Sequence, residues 1–285
     1  MRKVFFTIVF ALGLAAGSFA QDNALQVMTF NIRLNTPKDG VNAWPNRKEK
    51  VATQVLFHQP HLLGVQEALP EQMHDLQQAL PRYQVIGVGR EDGKNHGEFS
   101  AIFFDAARLE LLDSKTFWLS ETPETPGSKG WDAAITRVVT WGKFKDKKSG
   151  RTFFHFNTHF DHKGQIARRE SAKFLLQQVQ KIAGEIPVIV TGDFNAVPSS
   201  EPIQIVTNQK DSRHLIDTRE ISQTPHYGPS GSFNGFRSGE TSDEPIDYIF
   251  IKGKFRVLQH ACISQTWKGL FASDHFALFA RVQLE

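Results

Sequence analysis

From residue 25 onward the chain is cut into short runs rich in Val, Ile, Phe and Thr, bounded by Gly, Pro, Asp and Asn, and many of these runs end on a polar side chain. Runs of four to eight such residues read as β-strands, wholly apolar ones as strands buried on both faces. The expected strands are residues 25–32, 62–66, 83–88, 99–104, 136–144, 152–158, 188–191, 246–251, 257–263 and 277–282. Helical periodicity is rarer. Residues 47–58 place Val51, Val55 and Leu56 on one face before Pro60 stops them, and residues 165–183 do the same with Phe174, Leu175, Val179 and Ile182. A shorter helix is expected after Pro70. Residues 145–150 read as a hairpin turn, so antiparallel pairing is common. The economical architecture is an α/β fold of two packed, mainly antiparallel or mixed sheets flanked by helices.

Two stretches lack periodicity, residues 36–46 and 228–244. Loops of this length in a compact domain often serve function. The first carries Trp44, with Arg47 just beyond it, and the second Phe233, Phe236 and Arg237, which makes both candidates for substrate contact, Trp44 above all. No linker, repeat or low-complexity tract divides the chain, so residues 21–285 are expected to form a single domain.

Residues 1–20 open with Arg2 and Lys3, continue through an apolar run and close on Gly17-Ser18-Phe19-Ala20. That order is a secretory signal peptide, with cleavage near Ala20 and a periplasmic or secreted product. Of 33 basic residues two fall in this leader, leaving 31 against 30 acidic ones. A charge so near zero argues against affinity built mainly on a polyanion's counterions. Phosphate recognition must be local. Cys262 is the only cysteine, so no internal disulfide can form, and it is read as a core residue.

The chemistry gathers at strand ends. Asn31 sits in Thr29-Phe30-Asn31-Ile32 and Glu67 follows residues 62–66. His159 and Asp161 follow Phe156-Asn157-Thr158, and Asp193 and Asn195 follow residues 188–192. Asp247 opens Tyr248-Ile249-Phe250, and Ser273-Asp274-His275 precedes the last strand. Any one of these alone is more often a cap, an Asx turn or a satisfied core histidine. Together, carboxylates, amides and two imidazoles make a hard-oxygen cation site ringed by hydrogen-bond donors. Lacking thiolates or a dense histidine cluster, the set favours Mg²⁺ or Mn²⁺ over Zn²⁺.

In this order the motifs Thr-Phe-Asn31-Ile, Gln66-Glu67, Thr158-His159-Phe160-Asp161, Gly192-Asp193-Phe194-Asn195, Ile246-Asp247-Tyr248-Ile249 and Ser273-Asp274-His275 resemble the endonuclease/exonuclease/phosphatase superfamily. The resemblance spans nearly all of the chain past the leader. It implies a four-layer α/β/β/α sandwich of the DNase I-like type, with the site at one end of its two sheets. It further implies that Glu67 holds the metal with Asn31 and Asp274 in support, and that Asp193 orients or deprotonates the attacking water. Asn195 and His275 would hydrogen-bond phosphoryl oxygens, Asp247 would fix the tautomer of His275, and His159 would meet phosphate or the leaving group.

Further candidates rest on position alone. Arg137 is a candidate phosphate ligand and Asp161 a substrate contact or a partner behind the site. Arg168 and Arg169 are weaker, and Glu98 is a cleft candidate. The expected activity is metal-dependent phosphoester hydrolysis by water, first on RNA or nucleotides, with a phosphatase or a lipid-, inositol- or sugar-phosphate phosphoesterase as the alternative. A silent phosphate-ligand-binding protein is the second alternative. A zinc site of His159, His162 and His275 is the chemical competitor. The protein is expected to act as a monomer on a phosphoester partner.

Overall fold

The computed structural model describes residues 23–237, 239 and 242–285; the expected leader lies outside them. In chain order the elements are β1 (Leu25–Asn31), α1 (Lys48–His58), β2 (Leu62–Gln66), α2 (Pro70–Ala79), β3 (Tyr83–Ile86), β4 (Ile102–Asp105), β5 (Leu109–Trp118) and β6 (Val138–Asp146). They continue with β7 (Thr152–His159), α3 (Gln165–Ala183), β8 (Val188–Asp193), α4 (Glu201–Val206), β9 (Ile216–Asp217), β10 (Asp247–Lys252), β11 (Phe255–Ile263) and β12 (Ala277–Leu284). The strands form two six-stranded sheets, ordered β11-β12-β1-β2-β4-β3 and β5-β6-β7-β8-β10-β9. Each is mixed: β1 with β2 and β7 with β8 run parallel, and the other ladders are antiparallel.

The alternation of side chains along a strand explains both the layers and the site. In β1, Met28 and Phe30 point outward to Val51 and Val55 of α1 and to Met73 and Leu76 of α2. Phe154 and Phe156 of β7 and Val188 and Val190 of β8 likewise meet Leu175 and Val179 of α3 and Ile203 of α4. Between the sheets lie Leu25, Val27, Leu62, Phe153, Ile189, Ile249 and Ile251. The result is the expected four layers. Followed toward the C-terminal ends of the parallel strands, the same inner faces turn polar: Thr29 and Asn31, Gln66, His155, Asn157 and His159, Thr191 and Asp193 are all buried.

Most of those polar groups pair with one another, although Gln66 Oε1, His155 Nδ1 and His159 Nδ1 find no partner among the described residues. Asn157 donates from Nδ2 to the carbonyls of Val65 and Ala101, both at 2.9 Å, and its Oδ1 accepts from Gln66 Nε2 at 2.7 Å and Thr191 Oγ1 at 3.0 Å. Gln66 also donates to Thr29 Oγ1, and His155 Nε2 lies 2.8 Å from Thr191 Oγ1. This network stitches one sheet to the other beneath the site. Gly64 makes room for it, since a Cβ there would stand 2.4 Å from both Asn157 Oδ1 and Thr191 Oγ1.

Helix ends follow local rules. Pro70 opens α2, and Gln72 reaches back to accept the Leu69 N–H. The first turn of α3 is capped from a distant loop, Asp132 accepting from Ala167 N at 2.6 Å. No helix among the described residues is long and apolar enough to cross a membrane.

The expected strands 136–144, 83–88 and 99–104 are shorter or shifted. Phe99, for example, makes only isolated bridges to Ala68 and Gly89. β5, β9 and α4 were not foreseen. Residues 36–46 hold two 3₁₀ turns, Pro37–Asn42 and Trp44–Asn46.

Candidate active site

The parallel registers put the motif residues at one level. Asn31 pairs with Gln66, which Glu67 follows, while His159 pairs with Asp193 and Asp193 with Asp247. Backbone geometry finishes the placement. Glu67 and Asn195 both adopt positive φ, 63° and 47°, conformations costly for non-glycine residues and typical of sites where the fold holds a side chain in a set direction. Opposite them, residues 232–235 clamp the last motif: Phe276 N donates to Ser232 O at 2.7 Å, and Asn234 N and Gly235 N donate to Asp274 O.

Asp193 is the centre. It is 1% exposed, and its Oδ2 lies 2.9 Å from Asn31 Nδ2, 3.3 Å from His159 Nε2 and 3.7 Å from His275 Nε2. Its Oδ1 accepts the Asn195 N–H at 2.8 Å, and Asn195 Nδ2 lies 3.0 Å from both His159 Nε2 and the Phe160 carbonyl. Behind His275, Nδ1 stands 2.8 Å from Asp247 Oδ2, which also accepts from Ser232 Oγ at 2.6 Å. Asn31 also reaches Glu67 Oε1 at 3.1 Å, and Leu34 N donates to Glu67 Oε2 at 3.0 Å.

The electrostatics divide the two imidazoles. Burial pushes His275 down, but Asp247, Asp193 and Asp274 around it outweigh burial and raise it well above its ordinary value. His159 is pushed well below, by burial first and then by the Arg137 and Arg90 guanidiniums. One is thus poised as imidazolium and the other as neutral imidazole. Asp193 is raised by burial and then by the Asp247 charge. Burial acts to raise Glu67 as well, but His275, the Leu34 N–H, Asn31 and Arg33 hold it below the usual carboxylate range.

A divalent cation fits the side of the site formed by Asn31, Glu67 and Asp274. Glu67 and Asp274 offer hard carboxylate oxygens and no thiolate competes, while Asn31 turns its Nδ2 to Glu67 and its Oδ1 accepts the Arg33 N–H at 3.0 Å. Burial and the Glu67 charge raise Asp274, a repulsion that a cation would relieve. Arg33 offsets it only loosely: it pairs bidentately with Asp39 at 3.0 and 3.1 Å and stays 3.6 Å from Asp274 and 3.9 Å from Glu67. A second grouping, Asp193, Asp247 and His275, has candidate ligand atoms within 4.8 Å of one another. There, however, the His275 Nδ1 to Asp247 Oδ2 contact has hydrogen-bond length, and a cation would have to displace that proton. The Glu67 side is therefore the better cation seat.

Other expectations are corrected. Trp44 is 2% exposed, and its indole N–H donates to Asp75 Oδ2 at 2.8 Å, so it anchors its loop against α2 rather than contacting substrate. Arg47 is buried too, donating to the carbonyls of Asn42 at 2.8 Å and Ala272 at 3.2 Å, with Phe236 against its guanidinium. Burial pushes Arg47 down to about 10. Asp161 is 1% exposed and accepts the N–H groups of Ala134, Ile135, Lys163 and Gly164, so it holds loops together behind the cleft. Burial acts to raise its carboxyl, and those amides bring it to about 2.

Arg137 is buried near the site, 3.6 Å from Asp161 and 3.0 Å from His162 Nδ1. His162 is exposed and occupied by that contact, so the three-imidazole zinc site is not assembled. Arg168 donates to the Asp161 carbonyl, and Arg169 pairs with Glu170. Glu98 binds Arg90 at 2.6 Å. Two site features escaped sequence reasoning. Arg33 has no distinguishing pattern around it, and Ser232 shows its role only through contact with Asp247. Phe233, expected as a substrate-contact candidate of its loop, is 39% exposed with its ring 5.0 Å from that of His275.

The profile of the Endonuclease/Exonuclease/phosphatase family matches residues 28–275. The chain belongs to that family. Among solved structures, the endonuclease/exonuclease/phosphatase from Bacteroides vulgatus is 38% identical, covering 92% of this chain and 99% of its own, with a TM-score of 0.87. The mannosyl-6-phosphatase of Bacteroides thetaiotaomicron is 34% identical over 90% of this chain and 99% of its own, TM-score 0.85. The catalytic domain of human Nocturnin, at 24% identity and TM-score 0.72, shares the fold. Protein angel of Drosophila melanogaster is 24% identical over 221 residues, 73% of this chain, which spans 58% of that relative's length. The match to Drosophila Nocturnin spans 25% of its length.

Proposed function

We propose that the protein is a divalent-metal-dependent phosphoester hydrolase, using Mg²⁺ or Mn²⁺, whose substrate is a phosphate monoester of a small compound such as a sugar. The observation that carries the chemistry is the meeting of Asn31, His159 and His275 around one buried oxygen, Asp193 Oδ2. A carboxylate in that position can align a water and take its proton. The His275 imidazolium, steadied by Asp247, and the Asn195 amide present donors to phosphoryl oxygens as charge builds on them. His159 lies on the far side of Asp193 from Asp247 and meets the departing oxygen. When bound at Glu67, Asn31 and Asp274, the metal ion supplies neutralisation of phosphate charge.

Support for the monoester comes from the mannosyl-6-phosphatase, similar over nearly the full length of both chains. The near-neutral charge balance is consistent with a small substrate. A nucleotide or RNA phosphodiester is the second reading, favoured by the exposed Phe233 ring against His275, a surface on which a base can stack. Residues 1–20 are proposed as a leader that exports the protein.

The test is turnover of mannose 6-phosphate, p-nitrophenyl phosphate, bis-p-nitrophenyl phosphate and a short RNA, with Mg²⁺, Mn²⁺ or EDTA, beside Asp193→Asn and Glu67→Gln. Metal-dependent cleavage of the monoesters, lost in both variants, is the expected result. Preference for the diester or RNA would overturn the substrate assignment. Activity retained in Asp193→Asn would overturn the mechanism.

A further inference from the structure

Behind the His275–Asp247 pair lies a small cavity lined by Asp217, Arg219, His226, Ser230, Asp247 and His260. A water centre has about 10 Å³ there in which to move, close to what one bound water requires. Two atoms of the lining residues have no hydrogen-bonding partner among the described residues although buried, Asp247 Oδ1 and His260 Nε2, in residues 1% and 3% exposed. A buried polar atom left without a partner keeps the full penalty of its lost hydration.

Neighbouring hydrogen bonds determine what each atom needs. His226 Nε2 lies 2.9 Å from the Pro229 carbonyl, which only accepts, so the His226 proton is on Nε2 and its Nδ1 is an acceptor. His226 Nδ1 is 2.8 Å from His260 Nδ1, so His260 must donate from Nδ1. A neutral His260 then has a bare lone pair at Nε2. Burial, with the Arg219 guanidinium adding to it, keeps that ring neutral by lowering it to about 3. Asp247 Oδ1 faces no donor, whereas Oδ2 receives His275 and Ser232. The cavity therefore joins two acceptors, and the species that suits two acceptors is a double donor.

We propose that this cavity is a binding site for ordered water that donates to both Asp247 Oδ1 and His260 Nε2, making His260 a positioning residue for the His275–Asp247 pair. The chain of contacts runs from the Pro229 carbonyl through His226 and His260 to the water, Asp247 and His275. With a donor on Oδ1 as well as the two on Oδ2, the Asp247 carboxylate is held from rotating away from His275 Nδ1. Loss of an outer partner of this kind typically costs about 10-fold or more. The water site stands independently of the proposed substrate, which enters only in the kinetic consequence.

Two measurements test it. A crystal structure of the wild-type protein at atomic resolution is expected to show ordered density within hydrogen-bond reach of both atoms. A dry cavity, or one filled by a rotated Arg219 or Asp217, would overturn the proposal. His260→Phe keeps the ring volume but removes the acceptor, and His260→Gln restores an acceptor oxygen. With p-nitrophenyl phosphate, kcat of the phenylalanine variant is expected to fall about 10-fold at unchanged KM, with the kcat–pH profile displaced, and glutamine to recover most of both. A folded His260→Phe protein with wild-type kcat and profile would refute the positioning role. Should that variant not fold, the comparison of wild type with His260→Gln and the density decide.

Discussion

Asn157→Ala is the perturbation that tests the stitched layer beneath the site most directly. The side chain makes four hydrogen bonds, two to backbone carbonyls of the opposite sheet and one each with Gln66 and Thr191, in a residue of zero exposure. At about 1 kcal/mol net for each, truncation is expected to cost about 4 kcal/mol. In urea unfolding, with a slope of about 2–3 kcal/mol per molar, the midpoint should fall by about 1.3–2 M at constant slope. Gly64→Ala supplies the internal control, because its new Cβ collides with Asn157 Oδ1 in the wild type. Removing the amide relieves half of that clash and leaves Thr191 Oγ1, so the double variant should be more stable than the sum of the two losses predicts. A loss below about 1 kcal/mol for Asn157→Ala, or strict additivity with Gly64→Ala, would refute the claim that this amide joins the sheets.

Other outcomes follow from the same packing. Trp44→Phe should destabilise by about 1 kcal/mol through the lost bond to Asp75 while leaving KM and kcat unchanged, as checked by melting and steady-state kinetics. Phe233→Ala removes the ring against His275 and should raise KM more than it lowers kcat if that ring receives substrate. His155 is fully buried, and burial lowers it to about 3, below its unfolded value of about 6.5. The unfolded chain therefore binds the extra proton in that window, and the stability this group contributes is complete above about 6.5 and lost as pH falls toward 3. Asp217, raised to about 6 by burial, acts in the opposite sense, so the urea midpoint of His155→Gln between pH 7 and 4.5 is compared with wild type and should slope less. N-terminal sequencing of exported protein should begin at Gln21.

What the sequence made legible was what a single strand carries by itself. Asn31, Glu67, His159, Asp193, Asp247 and His275 stand at strand ends with alternation around them, and the fold brings them together because β1/β2 and β7/β8 are parallel and in step. β5 was missed because half of its residues, the run 112–115 among them, are exposed, so Leu109–Trp118 has no apolar alternation. β9 has only two residues, too few for a pattern. The substrate-contact readings of Trp44 and Asp161 failed for a common reason, whereas the alternative reading of Asp161 as a partner behind the site fits. Residue type says that a side chain is valuable, but only the partners, Asp75 for one and four loop amides for the other, say whether its polar end is already engaged. Ser232 and Arg33 gain their roles from neighbours distant in sequence, which no local window contains.

The position of β12 bears on how activity first arises. It lies in the interior of its sheet, between β11 and β1, although it is formed by residues 277–284, and Asp274 and His275 immediately precede it. During synthesis β1 and β2 can pair long before this strand emerges, and the edge of β1 must stay available for it. The nascent protein therefore has no hydrolytic centre until its final insertion, and a chain stalled upstream of residue 277 carries an uncovered strand edge prone to self-association.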